Sequence, residues 1–367
     1  MSADLNFSRI CVKMYSYNQG GRAMKVYLDE NIGYFKANLH THSTLSDGRA
    51  SVEEIKEKYM EHGYSIVAFT DHEHIVDNSH LSDDSFLAIT GCELGISEML
   101  ADDGKVRPDW GPETKQYFRT VHVNLLALDP HNTLTPYADM AHDKFGPDEV
   151  REAASYDNQR EKRIYSCEGI SDLVREAHER GFLVSLNHPS WSLIDSEQYL
   201  HYEGFDFIEI CNTGCYKSGH PKDETAYDTM LKNGKRIFCT AADDNHNAHG
   251  FDDPRSDSFG GWCMINAEEL DYDRIMNALK RGDFYASTGP EIYSLTREGD
   301  KVTVKCSPVK HIYKQTEGRA ASGKHADGEL LTRATFKLSP YEKIFRIRIE
   351  DEHGECAYTQ PYDVEFD

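Results

Sequence analysis

Short apolar runs recur along this chain, and each is followed by polar residues of the kind that bind metals or move protons. Alternating apolar and polar positions over residues 35–39 predict a short strand, and His40 and His42 stand at its end. The run 65–69, S-I-V-A-F, predicts a buried strand that leads into Thr70-Asp71-His72. Residues 86–90 lead into Gly91-Cys92-Glu93, the strand predicted over 121–128 carries His122, and 182–186 ends in Asn187-His188-Pro189. The runs 206–210 and 236–240 end in Cys211-Asn212 and in Ala241-Ala242-Asp243-Asp244-Asn245-His246, and 262–265 reads as a last strand of the series.

Helical patterns fall between these runs. Ser51 and Glu54 form an S-x-x-E capping box, with Val52, Ile55 and Tyr59 on one face and a stop at Gly63. Ser171 is the expected cap of a helix reaching Gly181, and further helices are predicted over 224–232 and 271–281. A strand, a helix and a strand in succession predict that the first two strands run parallel. Two polar, irregular stretches interrupt the rhythm: 95–120 is expected to be a long loop over the site, and 130–167 a second polar, charge-rich loop of the kind that is often functional.

After Pro290 the helices cease. Strands are predicted over 292–297, 301–306, 335–338, 344–350 and 356–359, with turns at Glu298-Gly299-Asp300 and Glu352-His353-Gly354 and a loop over 310–328. The expected organisation is an extension over 1–23, a large α/β unit over 24–289 opening at Met24, and a small antiparallel β unit over 290–367.

Composition narrows the function. Forty basic against 63 acidic residues leave a formal charge of −23, which disfavours long nucleic acid as a partner. No apolar run reaches the ~18 residues that span a bilayer, so no membrane partner is expected. Nine scattered cysteines, and a start without the basic-then-apolar shape of an export signal, predict reduced thiols in a cytoplasmic protein. Cys211 and Cys215 lack the second pair of a thiolate zinc site, and Cys92 reads as a small buried residue.

Histidines two apart on an extended backbone point the same way, so His40 and His42 can grip one ion. Asp47 follows in a Ser-Asp-Gly turn, where positive φ at Gly48 would fold the carboxylate back toward them. In parallel α/β architectures the strand C-terminal ends gather at one face, which is where sites are built. His40, His42, Asp47, His72, Glu93, His122, His188, Asp244 and His246 should therefore converge. These are nitrogen and oxygen donors with no thiolate among them. They suit Zn, Mn or Fe, and their number suits two or three divalent ions sharing a bridging carboxylate.

H-x-H-x-x-x-x-D-G at His40 to Gly48, T-D-H at Thr70 to His72, Glu93, His122, N-H-P around His188 and D-x-H at Asp244 to His246 together resemble the ordered motifs of the PHP (polymerase and histidinol phosphatase) superfamily, over roughly residues 34 to 290. The resemblance implies an α/β fold, a distorted seven-stranded β/α barrel with up to three metals, here followed by a β-rich accessory region. One metal would take His40, His42 and Asp244, with Glu93 bridging to a second held also by His122 and His188. A third would sit between Asp47, His72 and His246. His40, His42, Glu93 and Asp244 would form the catalytic core. The choice between Asp243 and Asp244 as ligand stays open, with Asp244 favoured because only it has His246 two residues on. The implied function is hydrolysis of a small-molecule phosphate ester by a metal-bridging hydroxide. Cleavage of short oligonucleotides and a non-catalytic metal-binding sensor are the alternatives. Arg119, Lys217 and the cluster Arg160 to Arg163 are candidate phosphate clamps, and Asp71 and His74 candidate proton donors.

Overall fold

The computed structural model describes residues 15–17, 23–99, 107–109, 111, 113–136, 145–157 and 163–366. Its organising feature is a large mixed sheet. Seven of its strands are hydrogen-bonded in the order Phe238–Ala242, Phe207–Asn212, Phe182–Leu186, Thr120–Ala127, Leu87–Ser97, Ile66–Phe69 and Gly33–Asn38. Gly33–Asn38 and Ile66–Phe69 are parallel, as the strand-helix-strand pattern predicts. Ile66–Phe69 is buried along its whole length, the mark of a strand covered on both faces.

The two ends of this run meet. Thr41, just past Gly33–Asn38, bridges Asn245, just past Phe238–Ala242. The His42 N–H donates to the Asn245 carbonyl (3.1 Å) and the Asp244 N–H to the His40 carbonyl (3.0 Å). Of the distorted seven-stranded β/α barrel that the resemblance implies, the described residues show seven strands in one mixed sheet whose two ends meet at this bridge, without a continuous ladder closing it. Thr120–Ala127 is antiparallel to both its neighbours. Trp262–Ala267, expected as the last strand of the series, runs antiparallel to Gly33–Asn38 and carries the sheet away from the curl. It leads through Phe284–Ser287 and Cys356–Thr359 to Ile344–Glu350, His311–Thr316 and Ser322–His325.

The helices follow the patterning with one shift. Val52–Glu61 buries Val52, Ile55 and Tyr59, and the Ser51 side chain accepts the Glu54 N–H. Ser171 is not a cap. Cys167–Glu179 starts earlier because Ser166 accepts the Gly169 N–H, and the Ser171 hydroxyl donates instead to the Cys167 carbonyl within the helix. The stretch 130–167 holds more than loop: Leu134–Pro136 pairs with Ser155–Asp157, and Asp148–Ala153 is helical.

A second sheet joins Tyr15–Tyr17, Ala23–Leu28, Ile292–Glu298, Lys301–Val309 and Leu331–Lys337. The segment at Met24, expected to open the large unit, therefore pairs with Ile292–Glu298. This sheet packs its inner face, with Leu295, Val302 and Val304, against Phe345, Ile347 and Ile349 of the large sheet. The loop expected over 310–328 is a hairpin, His311–Thr316 with Ser322–His325. Gln360 ties this half of the chain to the outermost strand of the curl, accepting the Cys239 N–H (2.8 Å) and donating to its carbonyl (2.9 Å). A side-chain amide there takes the place of a neighbouring strand.

Candidate metal centre

Where the two ends of the curl meet, polar side chains from six strands and the turns that follow them face one another. Glu93 is the centre of the group. Its carboxylate lies 3.3 Å from His40 Nε2, 3.4 Å from His42 Nε2, 3.2 Å from His72 Nδ1, 3.0 Å from His122 Nδ1 and 3.3 Å from His188 Nε2. Asp244 Oδ1 is 3.2 Å from His40 Nε2 and 3.0 Å from His42 Nε2. At the more open side, Asp47 lies 3.4 Å from His246 Nε2 and 3.8 Å from His72 Nε2. All nine residues singled out from the sequence are brought together.

Donor atoms within 4.8 Å of one another form the sets His40, His42, Glu93, Asp244; Glu93, His122, His188; and His42, Asp47, His72, His246. Two more sets bring in residues the sequence did not flag, His40 with His188 and Glu209, and His188 with Asp244 and Cys215.

The local backbone is bent to make this possible. His188 and Asp244 hold φ of +26° and +52°, and Glu73, next to His72, holds +69°. Side chains other than glycine rarely take such values, and they cluster where a site demands it. Gly48 does not use positive φ, as expected of it. Its role is close approach, since a Cβ there would lie 2.4 Å from the His42 carbonyl oxygen.

Asp243 and Asp244 separate cleanly. Asp243 is buried and accepts from the Tyr59 and Thr213 hydroxyls and from the N–H groups of Phe259, Gly260 and Gly261, so both its oxygens are occupied away from the cluster. Asp244 faces the histidines. Asp71 is likewise engaged elsewhere. It accepts from the N–H and hydroxyl of Ser43 and from the Ser46 hydroxyl, which fixes the turn carrying Asp47. His74 is held between the Tyr156 hydroxyl and the Phe145 carbonyl.

The candidate phosphate clamps also have other partners. Arg119 faces Asp195 at 3.8 Å, and Lys217 donates to the Pro254 carbonyl at 3.3 Å. Arg163 is buried, with both terminal nitrogens on the Glu73 carboxylate, while Arg160 and Lys162 lie outside the described residues.

Sequence reasoning missed Glu209. It is buried; its Oε1 lies 2.7 Å from His40 Nδ1, and its Oε2 accepts the His188 N–H and the Asn212 amide. An acid in the middle of the apolar run F-I-E-I-C was the available signal. Asn187 donates to Glu93 Oε1 at 2.8 Å, and the Ser192 hydroxyl lies 3.3 Å from His188 Nδ1.

Electrostatics shows what the cluster lacks. Burial pulls His42 down, yet its hydrogen bonds to Asp244 and Glu93 push it up to about 10. His40 is likewise driven up, its burial outweighed by Asp244, Glu209 and Glu93. Burial, reinforced by the positive His42, holds His72 down at about 3. Burial would raise Glu93 and Asp244, but the histidines around them hold both carboxylates low. The carboxylates thus demand positive charge, which favours protons on His40 and His42. Among the described residues the buried His42 Nδ1 has no hydrogen-bond partner, and His40 Nε2 and His42 Nε2 face each other at 3.1 Å. This donor set fits divalent cations, which would displace those protons.

Fold and cluster together define a mixed α/β protein with a candidate multi-cation centre at a sheet rim. The chain belongs to the PHP domain family, whose model matches residues 38–222. Over 58 residues it is 38% identical to DNA polymerase/3'-5' exonuclease PolX of Bacillus subtilis (strain 168), a match covering 15% of this chain and 10% of that protein. Its structure is similar to that of a two-domain protein from Bacteroides vulgatus ATCC 8482 described as containing a predicted PHP-like metal-dependent phosphoesterase, with 14% identity, 96% of this chain and 98% of the other covered, and a TM-score of 0.41. A protein from Bifidobacterium adolescentis ATCC 15703, provisionally described as a metal-dependent phosphoesterase, is 17% identical, with 67% and 96% covered and a TM-score of 0.36.

Proposed function

We propose that this chain hydrolyses the phosphate ester of a small molecule with divalent cations, Zn, Mn or Fe, held at the sheet rim. The observation that carries this reading is one buried carboxylate, Glu93, within 3.0 to 3.4 Å of five imidazoles. His40, His42, Glu93 and Asp244 would hold one cation, Glu93 with His122 and His188 a second, and Asp47, His72 and His246 a third. When bound, such cations neutralise charge on phosphate oxygens and lower the pKa of water toward neutrality.

The chain's own residues orient and protect that chemistry. Glu209 fixes the His40 ring by its Nδ1, leaving Nε2 toward the cluster. Asn187 steadies Glu93, and Asp71 anchors the turn that presents Asp47. His40, His42 and Glu93 are sealed from solvent, whereas the side chains of Asp47 and His246 are 39% and 33% exposed. The substrate phosphate enters on that open side. The net charge of −23 favours a small substrate over a polyanion.

The short match to a 3'-5' exonuclease supports a second reading, cleavage of a phosphodiester at the end of a short oligonucleotide. Elemental analysis of protein purified without chelator, with rates on p-nitrophenyl phosphate and bis-p-nitrophenyl phosphate, tests both. Asp244→Asn and His40→Ala should lose metal and turnover together. Full metal content and full turnover in both variants would refute the mechanism, and faster diester cleavage would favour the second reading.

A further inference from the structure

The turn that follows Phe182–Leu186 is pinned at several points. The Ser190 N–H (3.0 Å) and hydroxyl (2.5 Å) both donate to Asp223 Oδ1. The Ser192 N–H donates to the His188 carbonyl (3.1 Å), and the Thr120 N–H to the Ser192 carbonyl (3.2 Å). Leu193 takes φ of +59° to complete the bend. These bonds hold Trp191 against the cluster. Its ring centroid is 4.9 Å from that of His188, at an interplanar angle of 77°, and 5.0 Å from that of His122, at 50°. Both imidazoles reach Glu93.

An indole recruited only to pack against histidines would bury itself. Trp191 stays 39% exposed, and its neighbour Leu193 is 44% exposed. Among the described residues, it is the exposed large apolar side chain whose ring touches cluster histidines. By contrast, Trp262 carries the Lys36 ammonium over its ring at 4.2 Å. An aromatic face on a fixed turn at the rim of an anion-processing centre suits a second, uncharged part of the substrate. Stacking needs no charge, so it operates on a surface as acidic as this one.

We propose that Trp191 stacks on a planar aromatic ring in the leaving group, so that the preferred esters are those of nucleosides or aryl alcohols rather than of aliphatic alcohols. This rests on the phosphoesterase reading above. AMP, phenyl phosphate and glycerol 1-phosphate share the phosphate and differ in the ring.

The test uses the metal-loaded protein with these three probes. In Trp191→Leu, the kcat/KM ratio of AMP to glycerol 1-phosphate, and that of phenyl phosphate to glycerol 1-phosphate, should each fall roughly tenfold or more. Trp191→Phe, which keeps a ring, should fall between the variant and the parent. Quenching of tryptophan fluorescence by AMP should be present in the parent and lost in Trp191→Leu. A fall with AMP alone would assign the ring to a nucleobase, and a fall with both to any aromatic. Ratios unchanged within twofold, in variants with full metal content, overturn the proposal while leaving the hydrolase intact. If Trp191→Leu sheds metal, Trp191→Met, which also removes the ring, decides in its place, an unchanged ratio counting against stacking. If the parent hydrolyses none of the three, the function proposed above fails, and the quenching by AMP alone decides for or against the ring contact.

Discussion

Glu209 sits in the middle of a buried strand, yet its carboxylate keeps His40 turned toward Glu93 and Asp244. Partners of this kind set the orientation and basicity of a metal-ligating imidazole. Glu209→Gln, which preserves shape but not charge, should weaken metal binding roughly 10- to 100-fold in a competitive chelator titration, with little change in the far-ultraviolet circular dichroism. Asp223 offers a pH prediction. Burial pushes its carboxyl up to about 6 from an ordinary 3.8, against the hydrogen bonds from Ser190. Between those values the folded chain keeps a proton that the unfolded chain has released. Its contribution to stability therefore falls as pH rises from about 4 to about 6, and the loss is complete above that window. Asp223→Asn should gain on the parent by on the order of 2 to 3 kcal/mol between pH 4 and pH 7, measured by urea unfolding at both. Most site residues were legible because they stand directly after apolar runs, where position in the strand marks them. Glu209 was not, since it lies inside the strand Phe207–Asn212 between apolar neighbours and not after its end.

The hairpin His311–Thr316 with Ser322–His325 was hidden by one residue. Lys314 points inward in a strand where alternation calls for an apolar side chain, and it is almost wholly buried. Its ammonium pairs with Glu342 and donates to the Lys337 carbonyl. Removing one member of such a pair strands the other charge in the core. Lys314→Met alone should cost about 3 kcal/mol or more in urea unfolding, and Lys314→Met with Glu342→Leu should recover most of that loss. Elsewhere the same patterning rule worked. Phe182–Leu186 and Glu224–Lys232 fall where the sequence predicts them, because no charged residue interrupts the first and a regular apolar face marks the second. The pairing of Ala23–Leu28 with Ile292–Glu298 could not be read locally, since the partners lie far apart in the chain and neither strand's own pattern names the other.

For the molecule as a whole, the cluster is both site and fastener. It gathers Glu93, Asp244 and Glu209, whose mutual repulsion must be offset by protons or cations. Cations that bind only the folded chain stabilise it by about 2.7 kcal/mol at a hundredfold excess over Kd. Treatment with a chelator should lower Tm by several degrees in differential scanning calorimetry, and re-adding Zn or Mn should restore it. No helix among the described residues is long and apolar enough to cross a membrane. The eight described cysteines carry no disulfide, so the halves of the chain are held by packing and by bonds such as those of Gln360.

The bridge between Thr41 and Asn245 joins segments that leave the ribosome far apart in time. His40 and His42 emerge early, with nothing to complete their cage until Asp244 has been synthesised. Any cation that uses this full ligand set can therefore be held only once Asp244 and His246 have followed His40 and His42 out of the ribosome.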